Sequence, residues 1–289
     1  HGELGRAMMR ETAATQLNLD YENEADAMEK FRLSMAMSPL LTALFANSCI
    51  SGGRINGFAS RRSYIWQNTD PARCGFIERL YHSDAGFADY VEYALDVPML
   101  FVVRDGRWIE IAGEITFRQY MNSGYQECRP TWDDWLLHLS TIFTESRFKP
   151  YLEVRGADCS LPGLEMTFPA LVKGILYDPQ ARSEAWEIVQ PWSRVERQAL
   201  YLTISRRGPE ARIHGSSARA RIIELVRTAR EGLKRQNQRD SDGQDESVYL
   251  EPLDARLEEG WICPAKEILA HWNGPWKGNV TRLIAHTRF

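Results

Sequence analysis

The stretch that most limits how this chain can fold is Tyr151-Leu152-Glu153-Val154-Arg155-Gly156-Ala157-Asp158. Its alternation predicts a strand, with Leu152 and Val154 on one face and Tyr151, Glu153 and Arg155 on the other. Residues two apart on such a face stand about 6.5–7 Å from each other. A carboxylate and a guanidinium at that distance can serve one phosphate, the carboxylate through Mg²⁺ and the guanidinium directly. The same two side chains also read as an exposed charge pair of little energetic weight.

The rest of the chain predicts a mixed, α+β protein. Thr12 to Tyr21 alternates as a second strand, with Gln16, Asn18 and Asp20 on its polar face. Asn23 reads as an N-cap, and Pro39 reads as the end of that helix and the start of another reaching Asn47. Ser48 to Ser60, with three glycines, reads as a long loop. It leads into Arg61, Arg62, Trp66 and Arg73, either a plain surface or a pocket for carboxylate or phosphate. Asp105-Gly106 between apolar runs predicts a hairpin. Thr131 to Asp134 predicts a capped helix from Trp132, and Pro169 a kink or break within an apolar helix at Gly163–Tyr177. The last third, 178–289, reads as helical, apart from a polar loop at Gln236–Ser247. Its Arg219, Arg227 and Arg230 read as a solvated face.

Composition narrows the function classes. A net charge of −4 over 289 residues gives no general argument for nucleic acid or an anionic membrane. No apolar run is long enough to span a bilayer, and no signal peptide is evident. Five scattered cysteines without a CxxC pattern support neither a zinc ribbon nor a disulfide framework. They point to a reducing, cytoplasmic setting.

Several ordered motifs resemble a known family. They are Thr12-Ala-Ala-Thr-Gln16-Leu-Asn18-Leu-Asp20, Ala43 to Ser48, Asn56 to Trp66, Thr69 to Gly75, Tyr93 to Met99, Thr116-Phe-Arg118, Asp134 to Phe143 and Tyr151 to Asp158. Together they resemble glutamate–cysteine ligases of plant and proteobacterial type, densely over 8–177 and more thinly through Leu250–Asp254 and Trp272–Trp276. The resemblance implies a glutamine-synthetase-like catalytic fold, a curved and mostly antiparallel sheet with helices packed outside, in one catalytic domain over 1–289. It implies ATP, Mg²⁺, glutamate and cysteine, joined through a γ-glutamyl phosphate in the first step of glutathione synthesis. By the same resemblance Glu153 holds the metal, and Arg155 and Arg62 are the catalytic cations. Gln16, Asn18 and Arg155 face the nucleotide, and Arg62, Trp66, Arg73 and Met99 line the amino-acid pocket.

Departures from the family pattern shape further expectations. Leu100 stands where the family has a tyrosine near the cysteine pocket, so another amine acceptor is an alternative. A non-catalytic protein that binds glutamate or nucleotide is a third reading. Ile111 occupies a position of the plant regulatory disulfide, so that switch is expected to be absent. The chain begins at His1, after the point where the family carries an acidic N-terminal segment. By itself it is therefore expected to be inactive or nearly so. Monomer and homodimer both stay open.

Overall fold

The computed structural model describes residues 4–213, 215–260 and 262–288; His1, from which a missing segment is expected, lies outside them. The first half runs α1 (Gly5–Glu11), β1 (Ala14–Leu19), α2 (Glu24–Leu44), β2 (Ile50–Ser51), β3 (Arg54–Ile55), α3 (Arg61–Gln67), β4 (Cys74–Gly75), α4 (Phe87–Asp96), β5 (Phe101–Arg104), β6 (Arg107–Glu110), α5 (Phe117–Ser123) and α6 (Trp132–Ser140). Then come β7 (Phe143–Thr144), β8 (Ser146–Phe148), β9 (Leu152–Asp158), α7 (Thr167–Leu176), α8 (Pro179–Val189), α9 (Arg194–Arg207), β10 (Arg212–Ile213), β11 (Ser216–Ser217), α10 (Ala218–Gln236), α11 (Glu251–Glu258), α12 (Pro264–Asn273) and α13 (Val280–Thr287). The α+β class is as expected, and the part after residue 178 is helical.

The strands form small, mostly antiparallel sheets. Three antiparallel strands lie in the order β1-β9-β8, and the remaining strands pair two by two, β4 with β7 in parallel. β9 is buried along its whole length. Its apolar face rests on α2, which also packs against α8, α9 and α10. Ser34, Ser38 and Thr42 recur every four residues along α2 and stitch it to the sheet region. Ser34 Oγ meets Ser146 Oγ at 2.8 Å, Ser38 donates to Glu145 at 2.6 Å, and Thr42 donates to the Gly156 carbonyl at 2.8 Å.

Pro39 does not end a helix; α2 runs straight through it. The reason is burial. A proline in a helix interior costs about 3 kcal/mol. Beyond it, Leu40, Leu41, Leu44 and Phe45 are all fully buried, each contributing roughly 1.5–3 kcal/mol. Pro169 causes no break either, because it falls in the first turn of α7, where backbone N–H groups lack partners in any case. The long loop at 48–60 contains the short β2–β3 hairpin, turned by Gly52 and Gly53 at positive φ.

Two local predictions match their elements. Asp105 and Gly106 both have positive φ and close the β5–β6 hairpin. Thr131 and Asp134 form the reciprocal cap of α6. α7 and α10 approach so closely that a Cβ on Gly232 would lie 2.0 Å from the Gly174 carbonyl oxygen. Apart from the main core, the β5–β6 hairpin and α5 enclose a small core of their own, Met99, Val102, Ile111, Phe117, Tyr120 and Cys128.

Candidate functional site

The polar face of β9 is where the predicted residues converge. Asn18 of β1 lies directly opposite Glu153. Between Thr15 and Leu17 the register slips, so Arg155 and Gly156 together face Gln16. The Arg155 guanidinium consequently reaches the Glu153 carboxylate at 2.6 Å and donates to Gln16 Oε1 at 3.2 Å. Gly156 is required here: a Cβ would sit 2.7 Å from Ser38 Oγ.

α3 forms the second wall. Its N-cap Ser60 donates to Asp158 Oδ1 at 2.8 Å, and Asp158 also accepts from Ser48 Oγ and the Asn47 N–H. That carboxylate pins the start of α3 to the end of β9. Arg62, in the first turn, then donates through Nη2 to the Arg155 carbonyl at 2.9 Å. Trp66, one turn on, packs against Phe143 with centroids 5.2 Å apart and lies 6.0 Å from the Arg155 guanidinium. Among the described residues, the buried Arg62 Nε and Trp66 Nε1 atoms have no hydrogen-bond partner. Buried donors without partners are uncommon, and these two stand one turn apart on α3.

Residues that the sequence reading missed complete the cluster. Arg147 stands opposite Glu153 across β8 and β9 and donates to it through Nε at 2.5 Å. Lys149 Nζ lies 3.8 Å from the same carboxylate. The signal for both was the Lys149-Pro150 turn, which folds one alternating run back on the next. Burial works to raise the Glu153 pKa, but hydrogen bonds from Arg147 and Arg155 outweigh it and hold the group below its ordinary value. Burial and the Arg147 charge lower the Arg155 pKa, and Glu153 opposes them.

Two predicted residues lie elsewhere. Arg73 is buried and its donors are engaged by Asp70, Thr141 and the Pro98 carbonyl. It braces the chain between α3 and α6. Met99 belongs to the separate core around the β5–β6 hairpin. Leu100, beside it, is half-buried, and its carbonyl accepts from Ile111 and Ala112.

The donor set discriminates between ligands. One carboxylate is ringed by Arg147, Arg155 and Lys149, with Arg62 adjacent, a balance of charge that favours an anion over a cation. It suits Mg²⁺ poorly as it stands, because guanidinium groups occupy Glu153, and the chemistry of this ion calls for several oxygen ligands. Among the described residues, the group of His, Cys, Asp and Glu side chains that could share one ion lies on α12 and α13 instead.

On an α+β chain, the central strand thus gathers arginines around Glu153, beside two buried donors that have no partner among the described residues. The comparisons with known proteins make this particular. The model of glutamate-cysteine ligase family 2 matches residues 1–286. A chloroplastic glutamate–cysteine ligase of Arabidopsis thaliana is 37% identical over 283 residues, 96% of this chain and 52% of the relative. The Brassica juncea enzyme is 36% identical over 283 residues, with 96% and 53% covered. That of Medicago truncatula is 37% identical over 287 residues, with 98% and 55% covered. The chain belongs to glutamate-cysteine ligase family 2. It spans about half the length of the curated relatives it matches. Those relatives are named as chloroplastic, which corrects the cytoplasmic expectation. Scattered cysteines report a reducing compartment without saying which one.

Proposed function

We propose that this chain forms the phosphate-handling part of an ATP-dependent ligase joining the γ-carboxylate of glutamate to the amine of cysteine. The observation that carries the reading is the buried cationic face of β9 and α3, with Arg155 and the two orphaned donors Arg62 Nε and Trp66 Nε1. In this reading the γ-carboxylate of glutamate attacks the terminal phosphorus of ATP, and the bond to ADP breaks. The cysteine amine then attacks the acyl carbon of the γ-glutamyl phosphate, releasing phosphate and a proton. Such chemistry needs positioning and charge neutralisation more than covalent help.

Arg155 faces the transferred phosphate, held in direction by Glu153 and Gln16. Arg62 orients a carboxylate or phosphate oxygen, and Trp66 walls the amino-acid side. Asn18 extends the polar face toward the nucleotide. Arg73 and Met99 stand apart from this face and take no part in the reading. Magnesium would come with the nucleotide and offset phosphate charge; the chain's own residues around Glu153 make no cage for it. The glutamine-synthetase-like arrangement belongs to the same reading, supported by the antiparallel β1-β9-β8 sheet with α2 behind it. So does a single catalytic domain with its core motifs over 8–177.

Leu100 favours a second reading, in which the acceptor is another amine. The test for both is ADP release by the complete protein. With glutamate, ATP and cysteine, Arg155→Ala should lower turnover about 10²–10³-fold, the usual loss for one charged transition-state contact. Unchanged turnover overturns the assignment of Arg155. Another amine with a tenfold higher specificity constant than cysteine replaces the acceptor.

A further inference from the structure

Far from the β9 face, α12 and α13 converge on a second cluster. Glu267 and His271 are four residues apart on α12 and therefore project from one side of it. α13 brings His286 against them, its Nε2 3.1 Å from Glu267 Oε1. The two imidazole rings meet nearly perpendicular, at 85° and 5.6 Å between centroids. Trp276 packs on both rings, at 5.0 and 5.1 Å, and gives the cluster an apolar wall. A carboxylate oxygen and two imidazole nitrogens lie within 4.8 Å of one another.

We propose that Glu267, His271 and His286 form a zinc-binding site that fastens α13 to α12. Two nitrogen donors and one oxygen suit zinc, whereas calcium and magnesium call for oxygen alone. At zinc–ligand bonds of about 2.0–2.2 Å, three tetrahedral ligand atoms stand roughly 3.3–3.5 Å apart; the Glu267–His286 pair, at 3.1 Å, is already that close. The fourth position stays open to water. The second Glu267 oxygen is held by Arg256, which orients the carboxylate as an outer partner does. The Arg256 charge also opposes a cation, so the affinity should fall short of that of a four-thiolate site. α13 has no fully buried residue, so a metal bridge would be a principal attachment for it.

The experiment is equilibrium dialysis of this chain against Zn²⁺, followed by metal analysis. One zinc per chain, with a higher melting temperature, is expected. His286→Ala and His271→Ala should each lose that equivalent, whereas Cys263→Ser, altering the thiol at the start of α12, should keep it. Co²⁺ provides a measurement needing no variant: a four-coordinate nitrogen–oxygen site gives strong visible absorption without a thiolate charge-transfer band. Absence of stoichiometric zinc, retention of it in both histidine variants, or a thiolate band in the cobalt form overturns the proposal.

Discussion

Arg147 shows what one side chain does for the cluster. It shares the Glu153 Oε2 atom with Arg155 and donates also to the Ser140 and Ile142 carbonyls. Removing one partner of a buried ion pair costs about 3–5 kcal/mol, because the other charge is left undercompensated. Arg147→Gln should therefore destabilise by about 3 kcal/mol in urea unfolding. Adding Glu153→Gln should restore part of that loss, since the stranded charge is gone; simple additivity in the double-mutant cycle would show that the pair is uncoupled. The sequence revealed Glu153 and Arg155 because both lie on one strand. It concealed Arg147, whose relation to Glu153 exists only through the register of β8 and β9. The same limit applies to Arg73, whose guanidinium looked available until the fold brought Thr141 and Pro98 to it. His138 makes a pH prediction. Its Nε2–H donates to the Ala94 carbonyl at 2.8 Å. Burial first, and then the Arg73 charge, outweigh that bond and depress its pKa to about 4 from 6.5. The unfolded chain takes up this proton as pH falls below 6.5, and the folded chain resists until about pH 4. The contribution is thus intact above pH 6.5 and lost between 6.5 and 4, about 3 kcal/mol in all. Unfolding curves at pH 7 and 4.5 should show a smaller pH dependence in His138→Gln; parallel profiles would refute the shift.

At the level of elements, caps and turns were legible because their chemistry is local. Asn23, Thr131 and Asp105-Gly106 each settle their own turn with side-chain oxygens or positive φ. Pro39 misled for the complementary reason: the local preference to break was overruled by the continuous burial of α2 from Leu33 to Leu44, which no short window of residues reveals. The α7–α10 crossing was equally hidden, since Gly174 and Gly232 are 58 positions apart and signal nothing alone. Alanine in a helix is favoured over glycine by about 1 kcal/mol. At Gly232 the new Cβ would meet a backbone oxygen at 2.0 Å, and backbone cannot swing aside as a side chain can. Overpacking of this kind costs about 1–3 kcal/mol or more, so Gly232→Ala should lower the urea midpoint despite its better propensity. A raised midpoint would mean that the two helices can separate without loss.

Over the whole molecule, stability should be uneven. The main core joins β1, β9, α2 and the helices around them, while the β5–β6 hairpin with α5 has its own small core. That unit is tied to α6 by the Arg104–Asp134 ion pair at 2.6 Å and the Tyr120 hydroxyl. Small satellite cores open at lower free energy than central strands. Native-state hydrogen exchange should therefore release the amides of β5 and β6 well before those of β9. Equal protection would make the chain one cooperative unit. The pairing of β1 with β9 has a bearing on how the protein is made. Gln16 and Arg155, which touch across that pair, are 139 positions apart. At about 5–20 residues per second, a ribosome needs roughly 7–30 seconds to supply the second after the first. Throughout that interval α2 exists without the sheet it is stitched to, its oily flanks exposed to the cell. Part of its cover comes later still, because α8, α9 and α10, which also pack on α2, follow β9 in the chain.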